Sequence, residues 1–408
     1  KLNIRALNQA INEILLRHDV LRSRFVIWDG NPQQVVDEHQ AFLLEIIDLQ
    51  SIADDKKAEE VEIQIQAEAS LSFDLSRGSL LRTHLLKLND AEFILMTNMH
   101  HIISDGWSYR IYMQEVIELY LAFDEDHSSP LTDLPIQYSD YAIWQKQWLQ
   151  QSVLQQQLDY WRQQLSGDLP VLELPQDRPR PEVQTYCGKT LRFDLPENIL
   201  RPLHKLAKQQ DVTLYMILLT AFKVLLYRNT SQEDISVGVP VAGRNRSQLE
   251  PLIGLFVNTL VLRTQLAGNP SITELLKRVK ETSLGAYANQ DVPFEKLVEE
   301  LHPSRDMGHS PLFQVMFINQ KTDVLDQELP GLTISSMEID PGVSKYDLTL
   351  YVDESVDHLR CSWEYNIDLF DEATIKRLAG HYYTLLETIP IIPDIQLNDL
   401  LIISDEER

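Results

Sequence analysis

The chain has few cysteines and no long apolar run, two features that mark common classes of protein. It contains two cysteines, Cys187 and Cys361, which are too few for a disulfide framework and too far apart for a Cys-x-x-Cys motif. We therefore expect a reducing location, the cytoplasm. No apolar run approaches the roughly 20 residues that a membrane-spanning helix needs, and no signal peptide opens the chain.

Positive charge is scarce as well. The 36 Lys and Arg face 61 Asp and Glu, so the formal net charge is -25. An acidic surface repels phosphate backbones and anionic lipids, so we expect neither nucleic acid nor a membrane as a partner. The sequence also lacks a glycine-rich phosphate loop, a short-period repeat and any low-complexity tract. What it does have is the composition of a globular protein, with 408 residues that are 44% hydrophobic, enough for roughly two domains or lobes.

Helix and strand patterns mix along the chain without the strict alternation of a βαβ fold. This mixture favours an α+β protein with a partly antiparallel sheet. In the first half we predict a β-hairpin over 80–88 and 92–99, followed by a helix over 107–123. In the second half the patterns predict helices over 198–209, 214–229, 272–289 and 373–387, and strands over 235–240, 256–263, 312–318, 348–352 and 359–365.

A proline-rich stretch suggests where the chain divides. Pro170, Pro175, Pro179 and Pro181 lie close together, and prolines at that density prevent a helix and stiffen an extended segment. The predicted organisation is an N-terminal lobe over 1–166, an inter-lobe linker over 167–182, a C-terminal lobe over 183–397 and the start of a further linker over 398–408.

A histidine pair, His100 and His101, stands at the end of the strand predicted over 92–99. Successive strand side chains point to opposite faces, so at most one of the two can face a given cavity, and we predict no metal site. Asp105 follows, and then Gly106, which lets the chain turn tightly before the next helix. Asp105 is either the N-cap of that helix or a functional acid. From the residues alone, His100 fits a structural role.

These residues carry a resemblance to a known family. The stretch MHHIISDGWS at 99–108 closely resembles the HHxxxDG motif of condensation domains in nonribosomal peptide synthetases. Further motifs resemble those of the family in the expected order, namely RHDVLRSRF at 17–25, YSDYAIW at 138–144, IGLFVNT at 253–259 with Arg263, NQDVPFE at 289–295 and, more loosely, RDMGHSPL at 305–312. The family's opening motif, similar to SxAQxRLW, is absent together with its strand, so we expect the chain to begin after them.

The resemblance implies a fold and a reaction. The fold would consist of two chloramphenicol-acetyltransferase-like lobes in a V-shaped pseudo-dimer with a central tunnel. An upstream donor carrier protein and a downstream acceptor carrier protein would each present an acyl group on a phosphopantetheine arm. The acceptor amine would attack the donor thioester to form a peptide bond. An adenylation domain would neighbour this one in the same synthetase, and the domain itself would bind no cofactor.

The resemblance also assigns roles within the motif. His101 would act on the attacking amine, either as a general base or as a hydrogen-bond partner that positions it. A free α-amino group has a pKa of about 7.7–8.0, so part of it is neutral near pH 7 and one well-placed histidine is enough. Together with His100 and Asp105, Gly106 completes the catalytic motif, and its lack of a side chain would keep the channel open.

Other residues are assigned supporting roles by the same resemblance. Asp105 would pair with an arginine of the segment at 17–25, and both Arg17 and Arg22 are candidates, because a buried carboxylate needs a partner. The residues expected to line the tunnel or contact substrate are Trp107, Ser108 and Asn258.

Three other functions are alternatives to peptide-bond formation, namely epimerisation, heterocyclisation and non-catalytic recruitment of a partner. Epimerisation domains lack the DGWS ending, and heterocyclisation domains replace the histidine pair, so the sequence disfavours both. A non-catalytic module that keeps the fold and recruits a carrier or another partner stays an alternative, although such modules tend to have a damaged motif. Within condensation domains, SDGWS, YSDYAIW and NQDVPFEKLV resemble the subtype that takes an L-configured donor.

Overall fold

A computed structural model describes residues 1–149, 152–302, 308–320, 327–337, 339–340, 342–354 and 359–403. Two sequence predictions fall partly outside the described residues. These are the motif match at 305–312, of which 305–307 are not described, and the predicted linker over 398–408, of which 404–408 are not described.

The chain mixes helices and strands, as the α+β prediction requires. The helices are α1 (Ile4–Arg17), α2 (Asp54–Ser70), α3 (Gly106–Asp124), α4 (Tyr138–Trp148), α5 (Ser152–Gln164), α6 (Glu197–Gln210), α7 (Leu214–Thr230), α8 (Ile272–Ala288), α9 (Phe294–Leu301) and α10 (Glu372–Thr388). The strands are β1 (Ser23–Trp28), β2 (Asn31–Val36), β3 (Glu45–Asp48), β4 (Leu81–Lys87), β5 (Phe93–Met99), β6 (Gly188–Leu195), β7 (Asp234–Val241), β8 (Asn258–Gln265), β9 (Val315–Gln320), β10 (Gln327–Leu329), β11 (Leu332–Ile334), β12 (Leu348–Glu354) and β13 (Leu359–Asn366).

The chain divides into two compact units. Unit 1 comprises Lys1–Gln150, Ala242–Val257 and Val324–Met337, and unit 2 comprises Gln151–Val241, Asn258–Asp323 and Glu338–Arg408. The V-shaped arrangement and the tunnel stay predictions.

Unit 1 is built on a three-stranded sheet in the order β3-β4-β5, with β3 parallel and β5 antiparallel to β4. The last two strands are the hairpin that the sequence predicted. Helix α1 packs against α3, and Ile11, Ile14 and Tyr112 of these two helices are fully buried. Ile11 and Ile14 stand three residues apart on α1, so they lie on one face of that helix. The sheet and α3 together determine where the loop after β5 lies.

Unit 2 is built on a six-stranded mixed sheet in the order β6-β13-β12-β9-β7-β8. Two strands begin later than the sequence predicted. The strand predicted over 312–318 begins at Val315, because Leu312 has a φ of 69°, a left-handed conformation that no strand contains. The strand predicted over 256–263 begins at Asn258, because the backbone N–H groups of the two residues before it bond to a side chain.

Helix α5 belongs to unit 2, whereas the sequence-based prediction placed it in the N-terminal lobe. The predicted N-terminal lobe ran to residue 166, whereas the units divide at Gln150 and α5 belongs to unit 2. The buried indole of Trp161 donates from Nε1 to the carbonyl of Asn289 at 2.8 Å. This contact joins α5 to unit 2, whereas the predicted N-terminal lobe includes α5.

The predicted linkers are anchored where the structure describes them. In the proline-rich stretch, Arg180 forms a largely buried ion pair with Asp347 and also donates to the carbonyl of Gly308. Near the chain end, Leu400 is fully buried and its carbonyl accepts from Arg228 at 2.7 Å. The described residues of both predicted linkers therefore pack against the rest of unit 2.

Across the residues that the structure describes, no single helix is both long and apolar enough to cross a membrane. One bent pair of helices, Asn198–Gln210 and Leu214–Thr230, meets that test only when the two are taken together.

A lysine is buried in the core of unit 2. Lys223 on α7 is fully buried, and its Nζ donates to the carbonyls of Ile235 at 3.3 Å and Leu262 at 2.5 Å. Burial lowers the pKa of the Lys223 ammonium to about 7, and the negative charge of Asp234 opposes that shift.

This buried lysine should make stability depend on pH. An unfolded lysine has a pKa of about 10.4, so between pH 7 and that value the unfolded chain binds more protons and the free energy of unfolding rises with pH. From pH 7 to pH 9 we expect a rise of about 2 kcal/mol, most of which Lys223→Met should remove. Urea denaturation at both pH values measures this difference. The same rise in parent and variant would contradict a titrating buried lysine.

Candidate active site

The two histidines follow β5 and enter a short 3₁₀ turn, His101–Ile103, that leads to α3. The fully buried Ile103 anchors the turn. His100 caps it, because its Nδ1 accepts from the N–H of Ile102 at 3.0 Å and its ring meets Phe73 edge-on. Burial lowers the pKa of His100, and the charge of His101 acts in the same direction. His100 thus supports the turn, the role that the residues alone suggested.

His101 is exposed and held by its own loop. Its Nδ1 lies 2.6 Å from the carbonyl oxygen of Ser104. A carbonyl oxygen only accepts hydrogen bonds, so Nδ1 must carry the proton of the neutral ring. Nε2 then has a free lone pair on the opposite edge of the imidazole. The ring is therefore oriented to accept a proton or a hydrogen bond at Nε2.

Gly106 is the first residue of α3 and is exposed. A Cβ built on it would meet no other atom within 4 Å, so open space lies in front of this position.

The carboxylate of Asp105 joins two parts of the chain. It is buried and caps α3, since Oδ1 accepts from the N–H of Ser108 at 2.8 Å. Its other oxygen, Oδ2, accepts from the N–H groups of Phe256 at 2.9 Å and Val257 at 3.1 Å. Arg244 approaches Oδ1 at 3.5 Å. Asp105 is thus both an N-cap and the anchor of a distant segment.

That segment, residues 242–257, is called the clasp segment below. The hydroxyl of Ser108, which is fully buried, donates to the carbonyl of Gly254 at 2.7 Å and accepts from its N–H at 3.0 Å. The hydroxyl of Tyr138 donates to the carbonyl of Leu255 at 2.9 Å, and burial raises the pKa of that hydroxyl, which keeps it a donor. A Cβ at Gly254 would lie 2.1 Å from the Tyr138 ring, so this position requires glycine.

Arg244 fills the interior of the clasp segment. Its Nη1 donates to the carbonyls of Leu249 at 2.5 Å and Leu252 at 2.8 Å, and its Nη2 donates to the hydroxyl of Ser108 at 2.7 Å. The guanidinium also lies over the ring of Phe256, 4.0 Å from its centre. Burial lowers the pKa of Arg244, and the Asp105 carboxylate opposes the shift. The group stays a cation, because arginine does not lose its proton in proteins.

Neither arginine predicted to pair with Asp105 does so. Arg17 donates from Nε to Glu115 at 3.0 Å, and Arg22 donates to Asp19 at 2.5 Å. The prediction assumed that the partner came from the N-terminal motif, whereas the clasp segment brings Arg244 to the carboxylate. Sequence reasoning missed Arg244, and no local pattern marks it among the 36 Lys and Arg.

The residues expected to line a tunnel use their polar atoms internally. The Ser108 hydroxyl is buried, as described above, and cannot contact substrate. Asn258 donates from Nδ2 to the carbonyls of Gln290 and Val292, both at 2.8 Å. Trp107 donates from Nε1 to the carbonyl of Glu250 at 3.1 Å but leaves 36% of its surface exposed. Of the three, Trp107 is the most exposed, and the guanidinium of Arg110 lies over its ring, 4.6 Å from the centre.

Within the parts of the chain that the structure describes, no group of three or more His, Cys, Asp or Glu residues could hold a metal ion.

Comparisons with known proteins place the whole chain in one family. A family model described as "Condensation domain" matches residues 1–408. Linear gramicidin synthase subunits D and B of Brevibacillus parabrevis are 45% and 46% identical over 412 and 409 residues, covering 100% of this chain. The chain spans only 8% of the length of each of these curated relatives.

Solved structures share the fold. The X-domain from teicoplanin biosynthesis, which has also been solved in complex with OxyB, is 26% identical with a TM-score of 0.89, over 99% of this chain and 91% of that one. A four-domain nonribosomal peptide synthetase bound to AMP and glycine is 23% identical with a TM-score of 0.85, over 98% of this chain and 31% of that one.

Asp105→Ala should destabilise the protein strongly. The change removes a helix cap, leaves the buried guanidinium of Arg244 without its counter-ion and leaves two backbone N–H groups without their acceptor. We expect a loss of about 3 kcal/mol in the free energy of unfolding, measured by urea denaturation. Asp54→Ala is the matched control, because Asp54 is an exposed acid in the first turn of α2 and its loss should change little. Equal small effects from both changes would contradict the anchoring role of Asp105.

Proposed function

The chain belongs to the condensation-domain family, and we propose that it forms peptide bonds with the imidazole of His101 beside the reacting amine. Its fold is the α+β, chloramphenicol-acetyltransferase-like fold of that family. The observation that carries the proposal is the state of His101, an exposed ring whose Nδ1–H is fixed by the Ser104 carbonyl. A ring held in this way offers Nε2 as an acceptor without further reorganisation.

The reaction needs little from the protein besides the positioning of the two substrates and one group that accepts a proton. The amine nitrogen of the acceptor aminoacyl group attacks the carbonyl carbon of the donor thioester. The C–N bond forms, the C–S bond breaks, and the amine proton passes through Nε2 of His101 to the departing thiolate. Because a thioester is an activated acyl group, holding the two groups together supplies a large part of the rate.

We propose that the substrates arrive on phosphopantetheine arms of an upstream donor carrier protein and a downstream acceptor carrier protein. An adenylation domain of the same synthetase would be a neighbour. These partners are part of the proposal, since the chain spans only 8% of the length of two curated relatives. The donor is proposed to be L-configured, from the motifs at 104–108, 138–144 and 289–298.

A partner-recruiting module of the same fold is the second candidate. The observation in its favour is the likeness to an X-domain that has been solved in complex with OxyB. Against it stands the intact motif, in which His101 is exposed with its Nδ1 held by Ser104, Asp105 caps α3 and Gly106 faces open space. Peptide-bond formation therefore accounts for more of the site.

His101→Ala should abolish most product formation while the protein stays folded. His101 is exposed, so its loss creates no cavity, whereas removal of the acceptor at Nε2 should slow the reaction by about 100-fold or more. Donor and acceptor carriers loaded with aminoacyl groups are mixed with each protein, and the dipeptidyl-carrier is quantified. His127→Ala is the control, since His127 is an exposed histidine outside the motif. Equal product from His101→Ala and the parent would remove His101 from the mechanism.

Gly106→Leu tests the space beside the histidine. The new side chain meets no atom within 4 Å of its Cβ, so the variant should fold as the parent does. It would fill the open space in front of the start of α3, and we expect turnover to stop in the same carrier assay. Unchanged turnover in a folded variant would show that substrates do not pass this position.

A further inference from the structure

The ring of His100 is placed by one hydrogen bond and one ring contact. Its Nδ1 accepts from the N–H of Ile102, a bond that closes the turn carrying His101. The ring of Phe73 meets it at 85°, with the two ring centres 5.7 Å apart. In the part of the chain that the structure describes, the side chain of His100 forms no other hydrogen bond. The orientation of this imidazole therefore also depends on Phe73.

Phe73 is fixed by a cation. It lies in the irregular segment between α2 and β4 and is partly exposed, so the backbone hydrogen bonds of a helix or strand do not hold it. The guanidinium of Arg82 lies over its ring, with Cζ 3.7 Å from the ring centre. At this distance a cation is attracted to the negative face of an aromatic ring. Arg82 thus supplies a restraint that the local backbone does not.

Arg82 is anchored at the C-terminal end of α2. Its Nη2 donates to the carbonyls of Leu71 at 2.9 Å and Glu68 at 3.3 Å, and its Nε donates to the Glu68 carboxylate. Carbonyl groups at a helix end have no partner within the helix, so the guanidinium satisfies them. Asn98 on β5, the cross-strand neighbour of Arg82, donates to the same buried carboxylate at 3.3 Å. The cation over Phe73 is therefore held from several directions.

We propose that Phe73 and Arg82 are positioning residues, which hold His100 in the orientation that closes the turn and so keep the proton of the neutral His101 ring on Nδ1. The inference rests on the proposed function, because it names residues that prepare His101 for that reaction. A role in stability alone would need only the pairing of Arg82 with Glu68. The guanidinium also covers a ring that itself packs on His100, and this continuous series of contacts points to the turn.

Phe73→Leu tests the inference. Leucine keeps an apolar side chain but removes the ring, so the variant should fold while His100 gains freedom to tilt. The hydrogen bond that an imidazole makes decides which nitrogen carries its proton. Nitrogen-15 NMR of histidine-labelled protein should therefore show part of the His101 population with the proton moved from Nδ1 to Nε2. In the peptide-bond assay kcat should fall by about tenfold while the KM for either carrier changes little.

Phe73→Tyr and Phe93→Leu are the controls. Tyrosine restores the ring, so the His101 proton and kcat should return to those of the parent. Phe93 is also partly buried and packs against the same apolar cluster, but it lies at the opposite end of β5 from His100. If Phe93→Leu displaces the His101 proton as much as Phe73→Leu does, a general loosening of unit 1 is responsible and the inference is overturned.

Arg82→Lys tests the anchor of the ring. Lysine keeps a positive charge beside Glu68 but lacks the planar fork that reaches the helix end while covering the ring. We expect a smaller change of the His101 proton and of kcat in the same direction. Because both residues act through one contact, the double variant Phe73→Leu/Arg82→Lys should be no slower than Phe73→Leu alone. A double variant whose loss of kcat is the product of the two single losses would overturn the role of Arg82.

The NMR measurement separates this inference from the proposed function. A parent that forms no peptide bond, but in which Phe73→Leu still displaces the His101 proton, would overturn the enzymatic proposal and leave the positioning of His101 standing. A His101 ring that keeps its proton on Nδ1 in Phe73→Leu would overturn the positioning at any measured rate. A displaced proton with an unchanged kcat would overturn its part in the reaction.

Discussion

The carboxylate of Asp105 is the group on which the geometry of the site depends. One oxygen fixes the first turn of α3, and the other holds two backbone N–H groups of the clasp segment. The residue before it, Ser104, supplies the carbonyl that orients the His101 ring, so the anchored carboxylate adjoins the group that holds this ring. The imidazole thus stands next to a turn that a buried, hydrogen-bonded acid anchors.

A buried ion pair is stabilising only when its polar atoms are satisfied. The side chains of Asp105 and Arg244 are almost completely buried, at 4% and 1% exposure. Asp105 has its hydrogen-bond sites filled by three backbone donors in addition to the guanidinium. The hydrogen bonding of Arg244 is less complete, since its Nε has no hydrogen-bond partner among the described atoms. Ser108 and Tyr138 pair with backbone groups of an irregular segment, which would otherwise be left without partners. The clasp segment is therefore a rigid support for the histidine turn.

Local patterns in the sequence predicted the hairpin and α3 and gave the N-cap as one of two alternatives for Asp105, because each depends on residues that are neighbours along the chain. They could not predict Arg244, which stands 139 residues from Asp105, since an ion pair between distant segments leaves no periodic signal. The same limit applies to Ser108 and Asn258, whose polar atoms turned out to bond to backbone groups. The same limit applies to α5, whose contacts with unit 2, such as that of Trp161 with Asn289, join segments that are distant along the chain.

The most direct test of this account is the protonation of the His101 ring in solution. Nitrogen-15 NMR of histidine-labelled protein, at a pH where His101 is neutral, distinguishes a ring protonated at Nδ1 from one protonated at Nε2. The account predicts the proton on Nδ1, and predicts that this preference weakens in Asp105→Asn. A neutral ring with its proton on Nε2 in the parent would contradict the claim that Asp105 and Ser104 prepare His101 to accept the proton of the amine.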